Sequence, residues 1–233
     1  MATADSLQTV HLQSQLPVHW TIADLQAHLG DIPAERIRMF PPPGYATEAD
    51  VLEIEDREDR LCELEDGILV EKPMGWYESI IAILVARKIG NYLDDHDLGQ
   101  VLGADGSLKI LPRMVKIPDV SFVSWARFPK ERLGRRPIPA LIADLVVEVL
   151  SDTNTKKEMA MKLDRYFKAG VLLVWYIDPE SRSATAFTSP TDSVCVQEDG
   201  HLDGGTVLPG FSLSLAWLFE RADRQSGSAT DAS

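Results

Sequence analysis

Two carboxylates stand where apolar strands are expected. The run "DLVVEVL" (144–150) is nearly continuous in valine and leucine, and Glu148 interrupts it. Residues of one parity in a strand share a face, so Glu148 points the same way as Val146 and Leu150. A carboxylate taken out of water costs several kcal/mol unless it is protonated, paired or bound to a metal. One reading of Glu148 is therefore a buried ion pair with an arginine or lysine. The second acid is Asp119 in "IPDVSFV", directly after Pro118 and at the head of another apolar run. Proline cannot donate to a sheet ladder and marks the first residue of a strand or an edge. By itself Asp119 is equally a turn former. Together, two carboxylates on neighbouring strands can converge on one hard divalent cation. Mg²⁺ takes oxygen ligands octahedrally and usually keeps several waters. Such an ion polarises a phosphoryl oxygen and activates water, and a lysine nearby would orient that water or offset charge.

The elements that must hold these residues can be read along the chain. "TIADLQAHLG" predicts a short helix, with Thr21 and Asp24 as a capping box and Gly30 as the stop. Residues 48–66 carry ten acids against Arg57 and Arg60 and read as a solvated face. "LCELEDGILVEK" predicts a hairpin about Asp66-Gly67, and "GWYESIIAILVARKIGNYLDD" predicts the longest helix. "VLGADGSLKILP" and "KIPDVSFVSW" each read as one strand. "DLVVEVL" suits a strand buried on both faces, and a helix over 155–168 follows, capped by Thr155 with Glu158 and ended by Gly170. "VLLVWYID" is a further central strand. A strand–helix–strand unit amid other strands predicts an α/β or α+β sheet with helices on both faces.

The bulk numbers narrow the partners. The chain has 233 residues and a net charge of −13, which opposes strong non-specific binding to nucleic acid or anionic lipid. Cys62 and Cys195 form neither a metal-ligand spacing nor a disulfide framework. No signal peptide is recognised, and the longest apolar run, "SIIAILVA", is far below the roughly 18–20 residues of a membrane span. A cytoplasmic protein without membrane contact is the expectation. Against the acidic background, "SWARFPKERLGRRPIPA" holds Arg127, Lys130, Arg132, Arg135 and Arg136 with Trp125 and Phe128 interleaved. Such a loop suits phosphate contacts and base stacking. It equally suits a solvated loop paired with, or covered by, the acidic segment.

The order of pieces "PDVSFVS … DLVVEVLS … KLDRYFKAGVLLVWYIDPESR" resembles the Uma-two family, within the PD-(D/E)XK nuclease superfamily. The hairpin and the closing "FSLSLAWLF" extend the resemblance over about residues 60–217. The simple superfamily pattern places lysine two residues after the glutamate, and here Leu150 stands there. The resemblance implies a restriction-endonuclease-like fold with a mixed central β-sheet flanked by helices. It implies a nuclease domain over 60–220, with 1–59 as an N-terminal extension and 221–233 as a tail. It implies Mg²⁺ or Mn²⁺ held by Asp119 and Glu148, a relocated lysine at Lys162 with Lys156 as its competitor, and a homodimer acting on DNA. Glu78 lines up with the apolar stripe Ile81, Ala82, Val85 and Ile89 and is the candidate third acid, where the family has histidine nearby. Asp105, flanked by glycines, reads as a turn. A non-catalytic nucleic-acid- or protein-binding module that keeps the fold is the alternative.

Overall fold

Turn residues and prolines cut the apolar runs into short strands, and among the described residues three segments form helices of more than ten residues. The structure is a computed structural model and describes residues 16–17, 19–73, 75–128 and 138–224. In chain order the elements are α1 (Ile22–His28), a 3-10 turn (Ala34–Arg36), β1 (Ile37–Arg38), α2 (Glu48–Glu58), β2 (Cys62–Glu65), β3 (Ile68–Glu71) and α3 (Trp76–Asp95). They continue with β4 (Gly99–Leu102), β5 (Leu108–Leu111), β6 (Met114–Lys116), β7 (Val120–Ser124), β8 (Leu145–Val149) and α4 (Lys156–Ala169). The chain closes with β9 (Leu173–Asp178), β10 (Ser183–Phe187), β11 (Ser193–Val196), β12 (His201–Asp203), β13 (Ser212–Ser214) and α5 (Leu215–Ala222).

The central sheet has the order β11-β10-β9-β8-β7-β4. It is mixed: β8 and β9 run parallel, and the other neighbours run antiparallel. A parallel pair needs a crossover, which α4 supplies. Both faces of the sheet are covered, which explains the unbroken apolar character of β8 and β9. Val147, Val149, Trp175 and Ile177 pack with α3 and α5 on one face. Val146, Val174 and Tyr176 pack with Met159, Leu163 and Tyr166 of α4 on the other. Glu148, of the same parity as Val146, lies on the α4 side.

A second, antiparallel sheet of order β1-β3-β2-β6-β5 covers the far side of α4. The β2–β3 hairpin turns at Asp66 and Gly67, both with positive φ, a conformation glycine and aspartate tolerate. Two segments expected as single strands are each divided between the sheets. "VLGADGSLKILP" gives β4 in the central sheet and β5 in the second, with the turn at residues 103–107 between them. "KIPDVSFVSW" gives β6 and β7, broken at Ile117-Pro118 because proline ends the ladder. The acidic run is also more than a solvated face. Residues 48–58 form α2, whose Val51 and Ile54 pack on Cys62, Leu64, Leu69 and Val115. Its Glu48 and Glu58 pair with Lys109 and Arg38.

The segment read as an extension packs on the hairpin in a cluster of its own. β1 pairs with β3, and Leu25, Leu29, Ile32 and Ile37 pack on Ile68 and Val70. The expected capping box of α1 is present, with Thr21 accepting from the Asp24 amide. In α4 only half of the expected box forms: Thr155 caps the Glu158 amide, but the Glu158 carboxylate turns to Arg36 instead. No helix of the described residues is long and apolar enough to cross a membrane.

Candidate active site

Asp119 and Glu148 are side by side because of strand register. The last pair at that end of the β7–β8 ladder is Val120 with Val147, so Asp119 falls one step beyond it, alongside Glu148. Pro118 stops the backbone ladder there, and the Asp119 side chain continues it: Oδ2 accepts the Val149 amide at 2.7 Å. Its Oδ1 meets the ammonium of Lys72 at 2.9 Å. Lys72 also donates to the carbonyls of Ile117 (2.7 Å) and Ala104 (3.2 Å), so it ties Asp119 to both places where the chain crosses between sheets.

Glu148 is held from α4. In a helix, positions i, i+4 and i+7 share a face. Met159, Leu163 and Tyr166 form the apolar stripe on the central sheet, while Glu158, Lys162 and Arg165 form a charged stripe toward the second sheet. Lys162 is 6 % exposed and stands between two acids, 3.4 Å from Glu148 Oε1 and 3.2 Å from Glu63 Oε1. The Tyr166 hydroxyl, one turn on, donates to the same Glu148 Oε1. Glu63 in turn receives Lys116 at 3.0 Å and the Ile117 amide at 3.2 Å. Glu65 closes the network with Lys116 (2.8 Å) and Arg165 (2.6 Å).

The electrostatics follow from this packing. Burial raises the Glu148 carboxyl above its ordinary value; Lys162 opposes this, while Asp119 and Glu63 add to it. For Glu63 burial also acts upward, but the ammonium groups of Lys116 and Lys162 outweigh it and hold the carboxyl well below the usual range. Burial acts downward on Lys162, yet Glu148 and Glu63 outweigh it, and its ammonium is held charged far above neutrality.

Asp119, Glu148, Lys162, Lys72 and Glu78 line one pocket of about 60 Å³. This pocket shares Glu78, Ser151 and Asn154 with a wider cleft of about 740 Å³. Glu78 lies in the first turn of α3 and folds back over Gly75; a Cβ there would sit 1.7 Å from Oε2. Glycine at the N-cap makes room for that carboxylate. Lys156, the competing lysine, is exposed and borders only the wider cleft.

Two participants are not singled out by the sequence: Lys72 stands at the polar end of a hairpin, and Tyr166 lies within an apolar stripe. A third, Glu63, is with Glu71 a hairpin acid that could matter, but nothing in the sequence separates it from exposed strand residues. Glu63 is in fact 3 % exposed. Glu71 is half-buried and pairs with Arg38 and Arg60. Of the basic loop, Arg127 is engaged within the fold: Nε pairs with Asp144 at 2.8 Å, and the guanidinium donates to the carbonyls of Ala143 and Gly170. Lys130, Arg132, Arg135 and Arg136 lie outside the described residues. Asp105 is exposed in the turn that leads to β5.

A mixed sheet flanked by helices, with carboxylates at one strand end and a lysine on the crossover helix, defines a restriction-endonuclease-like fold. A solved structure agrees. It is described as "a putative nuclease belonging to DUF820 from Anabaena variabilis ATCC 29413", with a TM-score of 0.63 and 19 % identity, covering 70 % of this chain and 92 % of that one. The model of the Uma2 family, described as "Putative restriction endonuclease", matches residues 48–216, and the chain belongs to that family. No curated protein matches the sequence.

Proposed function

We propose that the protein is a nuclease that hydrolyses phosphodiester bonds of DNA with the help of Mg²⁺ or Mn²⁺, held by Asp119 and Glu148. The observation that carries this reading is the shared pocket. Two carboxylates that repel each other are brought together at one strand end, with a buried lysine against Glu148. A pairing whose charged forms disfavour each other is typical of a functional site.

The residues fit a hard cation. Among the described residues no group of three or more His, Cys, Asp and Glu side chains is placed to hold a metal ion. Mg²⁺ does not need one, since it binds through one or two carboxylates and keeps several waters. The pocket of about 60 Å³ has room for such waters. Both bonds from Lys162 and Tyr166 go to Glu148 Oε1, so neither occupies Oε2. When bound, the ion would polarise the phosphoryl oxygen and its own water.

This chain's residues supply the rest. Lys72 and the Val149 amide fix the Asp119 carboxylate, and Tyr166 and Lys162 fix that of Glu148. Lys162, held charged, orients the attacking water and offsets the negative charge that grows on the phosphoryl oxygens. As water adds to phosphorus the P–O bond to one ester oxygen breaks, giving a phosphomonoester and a hydroxyl; the proton of the attacking water passes to solvent, and the leaving oxygen takes one from it. Glu78 lines the same pocket and would reach the ion through water. Lys130, Arg132, Arg135 and Arg136 would meet the phosphate backbone, and a homodimer would bring one site to each strand.

A second reading, a binding module that keeps the fold, is favoured by one observation. Each carboxylate already has an ammonium beside it, Lys72 on Asp119 and Lys162 on Glu148. Cleavage of plasmid and oligonucleotide DNA with Mg²⁺ or Mn²⁺ separates the two. The wild type should cut, and Asp119→Ala, Glu148→Ala and Lys162→Ala should each lose about a hundredfold or more, as for removal of one transition-state donor. Cleavage that survives all three substitutions removes this site from the reaction. Absence of cleavage by the wild type favours the binding module.

A further inference from the structure

The family match begins at residue 48, yet a buried guanidinium from before it reaches into the supports of the site. Arg36, at the end of the 3-10 turn, is 7 % exposed. Its Nη1 and Nη2 donate to the two oxygens of Glu158 at 3.0 and 2.8 Å, a bidentate fork onto the first turn of α4. Its Nε donates to the Glu71 carbonyl at 3.1 Å, the last residue of β3. The next residue is Lys72, which holds Asp119. One turn beyond Glu158 on the same helix face is Lys162, which holds Glu148.

The contacts continue into the pocket wall. Glu158 Oε2 also accepts from Asn154 at 3.3 Å, and Asn154 Oδ1 accepts the Ser151 amide at 3.0 Å. Ser151 and Asn154 line the pocket with Asp119 and Glu148. The surrounding backbone is close-fitted. Gly30 has φ +88°, and a Cβ there would sit 2.6 Å from the Glu158 nitrogen and Cα. The Thr155 hydroxyl donates to the Gly30 carbonyl, and Lys157 pairs with Asp31.

We propose that Arg36 is a positioning residue of the site: it clamps the first turn of α4 to the end of β3 and so fixes Lys162 and the Ser151–Asn154 turn relative to Asp119. The proposal rests on the nuclease reading and adds to it a residue from the N-terminal segment, outside the matched family region. A planar fork with three fixed donors sets distance and angle together, which a lysine cannot do. Misplacement of reacting groups by about 1 Å costs up to a hundredfold in rate. The clamp therefore acts on turnover more than on substrate binding.

The test compares Arg36→Met, Arg36→Lys and the double variant Arg36→Met/Glu158→Leu with the full wild-type chain. The readouts are kcat and KM for Mn²⁺-dependent cleavage of a duplex oligonucleotide, together with Tm. Arg36→Met should lower kcat by about tenfold or more while KM changes by less than about threefold. Arg36→Lys should recover only part of that loss. The double variant replaces a buried ion pair by apolar groups, a change often neutral for stability, so its Tm should return toward the wild-type value while kcat stays low. A double variant that recovers Tm and kcat together overturns the proposal, because Arg36 would then act through stability alone. So does a folded Arg36→Met that turns over like the wild type. A wild-type chain that cuts no DNA overturns the nuclease reading itself, and the positioning role falls with it.

Discussion

Replacing Lys162 by methionine removes a charge and keeps most of the side-chain volume, so its effect can be worked out from the neighbours. Glu63 keeps Lys116 and the Ile117 amide. Glu148 keeps the Tyr166 hydroxyl and loses the ammonium that opposes its burial. Removing one partner of a buried pair costs about 3–5 kcal/mol. Protonation limits this loss. A carboxyl with an unfolded pKa of about 4.3 can be protonated at pH 7 for about 1.4 kcal/mol per unit, or about 4 kcal/mol. The expected loss at pH 7 is therefore about 3–4 kcal/mol, a large share of the 5–15 kcal/mol that holds a typical domain. The pH dependence has a definite sign. In the variant the folded pKa of Glu148 lies further above its unfolded value, so the folded state binds the extra proton. Stability of the variant then falls as pH rises from the unfolded toward the folded pKa, and acidification from pH 7 should return up to about 1.4 kcal/mol per unit, less what the wild type, whose Glu148 is raised in the same direction, gains over that range. Urea unfolding at pH 7, 6 and 5 measures this directly. A loss under about 1 kcal/mol, or one independent of pH, would refute the burial and pairing assigned to Glu148.

Two further substitutions probe the frame around the carboxylates. Lys72→Met leaves the carbonyls of Ala104 and Ile117 and the Asp119 carboxylate without their shared donor, so unfolding by urea should show a loss of about 2–4 kcal/mol together with weaker Mn²⁺ binding. Gly75→Ala pushes the flexible end of Glu78 out of its place, so Tm should change little, while Mn²⁺ affinity measured by calorimetry should shift if Glu78 serves as a ligand.

The pairing of the two acids of the candidate site was legible in sequence because their surroundings are local. A glutamate inside "DLVVEVL" and an aspartate behind Pro118 are anomalies that a short window reveals, and the ladder register then sets one beside the other. Lys162 was reachable from helix periodicity, since it flanks the Met159–Leu163–Tyr166 stripe. Lys72, Glu63 and Arg36 were not legible. Glu63 and Arg36 are buried, and the Lys72 side chain is covered, where the second sheet folds over α4, a long-range event that leaves no mark in the local sequence. The divided strands were missed for a related reason. Alternation continues across residues 103–107 and across Ile117-Pro118, although the chain changes sheets at both places. The family match includes neither α1, the 3-10 turn nor β1, yet the 3-10 turn carries Arg36, and α1 and β1 pack on the hairpin.

The central claim is that Asp119 and Glu148 together hold one divalent cation. Titration of the purified chain with Mn²⁺ by calorimetry tests it most directly. One Mn²⁺ per chain is expected in the wild type, with binding weakened by about a hundredfold or more in Asp119→Ala and Glu148→Ala separately, both variants remaining folded. A wild type that binds no Mn²⁺, or single variants that bind it as the wild type does, would contradict the claim.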